Sequence, residues 1–200
     1  MLHRPVLAII LFCSVAVQAQ DKWDLRIDQD SIKVYTGHTE ESKIKAIRAE
    51  FTLRAAREEL FRELLRAERY VEWQYNAERC EVIDVVSGSE ILYYCEVSAP
   101  WPVSNRDLVV RLKILNDPKS PSFRITTLSD PKPYPVPKDV VRVPMSRGEW
   151  LVTEVGPRML KVHYTMRIDP GGTIPAWLVN LVAAQAPYQT FKNLKQRLER

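Results

Sequence analysis

Apolar and polar residues alternate with a period of two along most of this chain, and a helical period replaces the alternation near residue 60 and again at the C-terminal end. Ile32 and Val34 point one way while Lys33 and Tyr35 point the other, so 31–38 reads as a strand. A polar turn over 37–42 leads into a second strand, 44–53, in which Ile47, Ala49, Phe51 and Leu53 share a face. The stretch before them, 20–30, reads as either a short helix or an edge segment. Between 55 and 73 the period changes: Ala56, Leu60, Leu64 and Ala67, with Phe61 and Leu65 beside them, form a helical stripe. Arg57, Glu58, Glu59, Arg62, Glu63 and Arg66 then fall on an outer, solvated face. The following ERYVEWQYN reads as a second short helix or a tight turn that packs Tyr70, Trp73 and Tyr75 onto the sheet.

Two β-rich runs, 79–86 and 89–97, flank Ser87-Gly88 and predict a hairpin. Pairing Val86 with Ser89 sets Cys80 opposite Cys95, Arg79 opposite Glu96, Glu81 opposite Tyr94 and Ile83 opposite Leu92. An irregular link, APWPVSNR, precedes a strand over 107–115 with Leu108, Val110, Leu112 and Ile114 on one face. A strand over 123–128 follows. Prolines 131, 133, 135 and 137 cannot sit in a central strand, so 130–138 is a stiff extended loop. Three more strands are predicted, over 140–145, 149–155 and 159–168. The chain closes on one long helix: Gly171 and Gly172 reverse the backbone, Pro175 starts the first turn, and Trp177, Leu178, Leu181, Val182, Tyr188, Phe191, Leu194 and Leu198 recur at helical spacing. Pro187 removes one hydrogen bond of that helix and predicts a bend there. The order is that of an α+β domain: a curved antiparallel sheet of eight or nine strands wrapped around the C-terminal helix, with one or two short helices after the early strands.

Two hundred residues make one domain, and 46% apolar with 27% charged residues is an ordinary globular balance. The net charge of +4 is interleaved rather than blocked, and the aromatics sit in apolar runs, so nucleic acid is not an expected partner. Residues 1–19 read as a signal peptide: a short basic start, an apolar run from Val6 to Val17, and small residues at Val17-Gln18-Ala19. Cleavage after Ala19 leaves 20–200 as the mature domain, periplasmic or secreted. Cys80 and Cys95 remain, and an oxidising compartment makes them a disulfide candidate.

Catalytic motifs are missing from the sequence. There is no HExxH, no paired CxxC, no Gly-x-Ser-x-Gly elbow and no glycine-rich phosphate loop, so neither a metal nor a cofactor is expected. His163, in a strand beside Val162 and Tyr164, is either a general base in a pocket or a surface-facing strand histidine. The more informative polar residues are Glu96, Arg106, Asp107 and Arg142. If the hairpin faces an interior with the parity of Leu92, then Tyr94 and Glu96 point inward, with Arg79 as a partner. A buried carboxylate needs a cation or a ligand hydroxyl beside it, and an apolar cavity with a few such groups is the chemistry of a lipid or sterol site. A rim salt bridge ordering the sheet edge is the alternative.

Several short stretches follow one another in a telling order: Trp101-Pro102, Asn105-Arg106-Asp107, Val140 to Val143, Gly148-Glu149-Trp150, Ile168-Asp169-Pro170-Gly171-Gly172, and Ile174-Pro175-Ala176-Trp177-Leu178-Val179-Asn180. This pattern resembles the START (steroidogenic acute regulatory protein-related lipid transfer) domains over essentially the whole mature chain. The resemblance implies a helix-grip fold and non-enzymatic binding, with transfer, of a lipid or sterol-like hydrophobic ligand between sheet and C-terminal helix. It places Glu96 at the family's acidic tunnel position. Tyr94, Glu96, Arg106, Leu108, Val110, Leu112, Trp177, Leu178 and Leu181 become the expected ligand-binding residues, with the first half of the last helix, 174–186, facing the ligand. Loading implies movement of the helix or the proline-rich loop, and transient membrane contact. The rival reading is an enzyme similar to the aromatases and cyclases of the wider helix-grip superfamily, with His163, Glu96 and Tyr94 as its candidates.

Overall fold

The computed structural model describes residues 23–39, 42–130 and 134–200; the segment read as a signal peptide, 1–19, lies outside them. The alternating stretches become a sheet of ten strands. β1 (Trp23–Gln29), β2 (Ile32–Thr39) and β3 (Ser42–Leu53) form an antiparallel meander, so the described part of the 20–30 stretch is an edge strand. Asp30 and Ser31 turn β1 into β2 with φ of 52° and 59°, the left-handed pair that a tight hairpin needs. Helix α1 (Arg57–Leu64) begins where the Glu59 carboxylate accepts the Ala56 amide at 2.7 Å, and a 3-10 turn, Ala67–Glu72, follows it.

The chain then builds the opposite edge and works back. β4 (Ala77–Ser87) and β5 (Glu90–Val97) form the edge hairpin, followed by β6 (Asn105–Leu115), β7 (Ser122–Ser129), β8 (Val140–Arg142), β9 (Met145–Gly156) and β10 (Met159–Asp169). The strand order is β1-β2-β3-β10-β9-β7-β6-β5-β4, so the last strand closes against the third. The strand expected over 140–145 divides: β8 pairs in parallel with β6, and β9 starts at Met145. Pro144 has no amide to donate to a ladder, which accounts for the break.

Arg79, Cys80 and Glu81 face Glu96, Cys95 and Tyr94, but Leu92 faces Asp84 rather than Ile83. Bulges between Val82 and Asp84 and between Val85 and Ser87 absorb the difference, and the turn is Gly88-Ser89 instead of Ser87-Gly88.

One face of the sheet carries the main core, built on Ile32, Val34, Phe51, Val110, Leu112, Ile125, Val152 and Val162. The C-terminal apolar stretch forms two helices, α2 (Ala176–Val182) and α3 (Gln185–Leu198), and it is α3 that covers this inner face with Tyr188, Phe191 and Leu194. The break falls at 183–184, not at Pro187. A proline ring collides with the carbonyl four residues upstream, here that of Ala183, so the helix must stop one turn before the ring. Pro187 itself sits in the first turn of α3, where no intrahelical donor is missed.

Two residues assigned to the solvated face of α1 are buried: Arg57 is 8% exposed and Glu63 5%. Arg57 lies over the Phe123 ring and reaches Glu154, Asn116 and the Ser120 carbonyl, while Glu63 pairs with Arg197 of α3. Tyr70 and Trp73 pack into the core as expected, but Tyr75 stays 40% exposed.

Candidate ligand-binding site

The inner face between sheet and C-terminal helices is lined by aromatic rings at one end. Phe191 of α3 stacks on Phe51 at 4.6 Å and meets Trp150 and Tyr164 edge-on at 5.3 Å and 5.0 Å. Tyr70 stands edge-on to both Trp73 and Tyr93. Cys80 and Cys95 form a disulfide on this same face, with Cα atoms 4.1 Å apart. β5 and β6 pair Tyr93 with Val110, Ile91 with Leu112 and Cys95 with Leu108, so Leu108, Val110 and Leu112 stand on the inner face.

Arg106 ends that row and is 7% exposed. Its Nε donates to the Pro170 carbonyl at 3.3 Å, its Nη2 to the Gly171 carbonyl at 3.5 Å, and its Nη1 to the Ser104 carbonyl. Burial pulls its pKa downward. The guanidinium therefore ties the 99–104 loop to the turn that launches α2.

Tyr94 and Glu96 are on the other side of the sheet. Side chains alternate along a strand, and with Tyr93 and Cys95 facing the core their neighbours must face away. Tyr94, Leu92 and Val109 form a separate outer cluster, covered by Tyr134 of the proline-rich loop at a ring distance of 4.8 Å from Tyr94. Glu96 accepts from Asn105 at 2.9 Å and from the Tyr94 hydroxyl at 3.4 Å. Arg79 bonds Glu81 and lies over the Tyr94 ring rather than pairing with Glu96 across the strands. The inward parity expected of Leu92 is therefore reversed: both faces of β5 are covered by apolar groups, so its residues carry no alternation that distinguishes inside from outside. Asp107 and Arg142 pair on that outer face as well.

α2 does not turn its large residues inward. Trp177 is 68% exposed and Leu181 70%, and Leu178 is half-buried. The helix is held by Asn180, whose Oδ1 accepts from the Lys45 amide at 2.9 Å and whose Nδ2 donates to the Lys43 carbonyl at 3.1 Å. Pairing between β10 and β3 ends at Met166–Ile47, so these are backbone groups that no strand takes up on that side.

The inner face is apolar and incompletely covered: Leu108, Val97, Tyr164, Met166, Ala183 and Ala184 pack against the core yet keep accessible surface. Desolvation pushes the phenols of Tyr93 and Tyr164 well above the usual tyrosine range, so both are neutral donors at physiological pH. Tyr93 and Tyr164 were not among the expected site residues; the inward parity of Cys95 is the signal that points to Tyr93.

His163 belongs to the outer face of β10, with Nδ1 3.8 Å from a Glu50 carboxylate oxygen and a side chain 38% exposed. β9, β7 and β6 separate it from Tyr94 and Glu96, roughly 19 Å at the usual strand spacing. The three residues are not brought together.

An open, mostly antiparallel sheet gripping a C-terminal helical segment is the helix-grip fold. The family model for the START domain matches residues 11–200, and the chain belongs to that family. It is similar to a solved STAR-related lipid transfer protein fragment from Xanthomonas axonopodis, at 31% identity and a TM-score of 0.81 over 90% of this chain and 100% of that one. It is 29% identical to uncharacterized protein PA1579 of Pseudomonas aeruginosa, over 100% of this chain and 98% of that protein. The phosphatidylcholine transfer protein of Bos taurus is 26% identical over 80% of this chain and 76% of its own length.

Proposed function

We propose that this protein binds a lipid or other hydrophobic ligand without chemical change, between the inner face of the sheet and the C-terminal helices, and passes it on. The partly covered inner face carries the reading. Leu108, Tyr164 and Met166 pack against the core yet are only partly buried, which leaves apolar surface between the sheet and the C-terminal helices for a ligand to cover. The names of two relatives, a STAR-related lipid transfer protein and a phosphatidylcholine transfer protein, support the same class of ligand.

Loading proceeds at a membrane through α2. Trp177, Leu181 and Val182 expose apolar surface on this helix, and Trp101, 92% exposed, lies on the loop that Arg106 ties to the base of α2. Aromatic and aliphatic groups grouped at one end of a domain suit insertion into a headgroup layer. The reading of residues 1–19 as a signal peptide supports a role in the periplasm or outside the cell.

Protein purified from the envelope of its own host should release a lipid on solvent extraction, identified by mass spectrometry, and the stripped protein should take that lipid up again. No co-purifying lipid together with no uptake from vesicles would sink the proposal. Mass spectrometry of the intact protein checks export, the expected N-terminal residue being Gln20.

A further inference from the structure

Arg106 is a buried cation without an anion. Arg57, Arg142 and Arg197, arginines also drawn into the fold, each hold a carboxylate. Arg106 is 7% exposed, yet among the described residues its only partners are three carbonyl oxygens. The adjacent Asp107 lies on the other face of the sheet, taken up by both prongs of Arg142. The Asp169 carboxylate, in the turn that Arg106 holds, is exposed and accepts from the Gly171 amide. Burial lowers the Arg106 pKa with no opposing contribution from a neighbouring charge. Carbonyls satisfy hydrogen bonds but do not neutralise a charge, and a buried charge is costly unless an opposite one joins it.

We infer that Arg106 receives an oxyanion on the head of the ligand, a carboxylate or a phosphate, while the tail lies along Leu108 and Met166. This rests on the lipid-binding reading above and narrows it to lipids that carry such a group, excluding sterols and neutral glycerides. A guanidinium has five N–H donors; the three bonds engage one each on Nε, Nη1 and Nη2, so one N–H is left on each terminal nitrogen. Paired donors of this kind hold two oxygens of a carboxylate or phosphate. A Cβ on Gly172 would lie 3.4 Å from Nη2, so the glycine keeps that side of the guanidinium clear. Arg106 also stands where a head would be. Leu108, two residues along the same face, is only partly buried, and the carbonyls that Arg106 holds belong to the turn that starts α2.

The test compares cis-parinaric acid with its methyl ester, fluorescent probes that share a tail and differ in the charge of the head. A site without a cation prefers the ester, because the carboxylate would have to leave water for an apolar wall. Wild-type protein should instead bind the acid about tenfold more tightly, the worth of one charge-assisted hydrogen bond. Arg106→Gln should reverse the preference, and Arg106→Lys, which keeps the charge and loses the fork, should hold part of it. An affinity for the acid equal to or below that for the ester in the wild type, or an R106Q variant that still prefers the acid, would overturn the inference while leaving lipid binding intact. The wild-type comparison needs no variant, so a poorly folding R106Q leaves the outcome readable. Uptake of neither probe would overturn both readings. Inorganic phosphate separates a lipid head from a free anion: it should neither displace the acid nor raise the melting temperature beyond sodium chloride of the same ionic strength. A melting temperature raised by phosphate alone would assign Arg106 to a soluble anion and overturn the inference.

Discussion

Arg142 grips the carboxylate of Asp107 through two bonds, Nε to Oδ1 at 2.7 Å and Nη2 to Oδ2 at 3.0 Å, and Asp107 is wholly buried. Nη2 of the same guanidinium also donates to the carbonyls of Tyr134 and Pro135, at 3.3 Å and 3.4 Å. One ion pair thus joins β6 to β8 and holds the proline-rich loop over the outer face, where Tyr134 covers Tyr94.

Arg142→Ala should destabilise the domain by about 3 kcal/mol, because it leaves the Asp107 charge buried and unpaired. The figure is at the low end of that range since the Arg142 side chain is 27% exposed. Arg142→Lys should recover only part of the loss, as an ammonium cannot make the two-pronged contact. Urea unfolding of the three proteins measures it; equal midpoints would show the pair to be dispensable.

Reduction of the Cys80–Cys95 bridge should lower stability by about 3 kcal/mol, the entropy expected for a closure spanning 15 residues. The comparison is urea melting with and without a thiol reductant, with a Cys80→Ala, Cys95→Ala double variant as the reductant-independent control.

Asn180→Ala removes both side-chain hydrogen bonds that tether α2 to β3. Amide exchange over 176–182 should accelerate about tenfold while α3, held by Arg197 on Glu63 and Glu72, keeps its protection. Uptake and release of a fluorescent lipid should quicken together, leaving affinity less affected than either rate. Equal acceleration in both helices would mean that they open as one unit.

Acid should unfold the domain through its paired carboxylates. Bonds from Arg57 to Glu154, from Arg111 to Glu90 and from Arg197 to Glu72 hold these three carboxyls below the usual glutamate range. A carboxyl depressed in the folded state contributes fully above its unfolded pKa, about 4.3, and the contribution disappears as pH falls through the lower folded value. Melting temperature should therefore change little from neutrality to about pH 5 and fall below it. Glu154→Gln should weaken the neutral-pH protein and make its acid slope shallower; a slope unchanged from wild type would remove this carboxyl from the cause.

Trp177→Glu and Leu181→Glu should reduce binding to liposomes of mixed zwitterionic and anionic lipid several-fold, with melting temperatures close to wild type because both side chains are already in solvent. Undiminished liposome binding would remove α2 as the membrane contact.

The period of the apolar pattern was enough to locate nearly every strand and the inward stripe of α3, because alternation and helical spacing are local consequences of backbone geometry. The order of motifs from Trp101 to Asn180 was enough to name the family. Cys80 was found opposite Cys95 even though the assumed turn was displaced by one residue, since the bulges of β4 restore that part of the register. What the pattern could not fix was which face of β5 looks inward. Ile91, Tyr93 and Cys95 are about as apolar as Leu92 and Tyr94, and both sets are buried, one under α3 and the other under the proline-rich loop. A strand covered on both sides carries no alternation to read. Arg57 and Glu63 looked like surface charges for a related reason: the partners that allow their burial, Glu154 and Arg197, come from strands and helices roughly a hundred residues further on.

The closing segment shows the division most plainly. Its sequence alone determined that the 176–198 stretch is helical and that Pro187 interrupts it. Only the tertiary structure decided that α3 fills the grip with Phe191 and that α2 holds on by Asn180 with Trp177 and Leu181 facing out. Helical spacing identifies a set of side chains that share a face, but what that face meets depends on surfaces folded from distant parts of the chain.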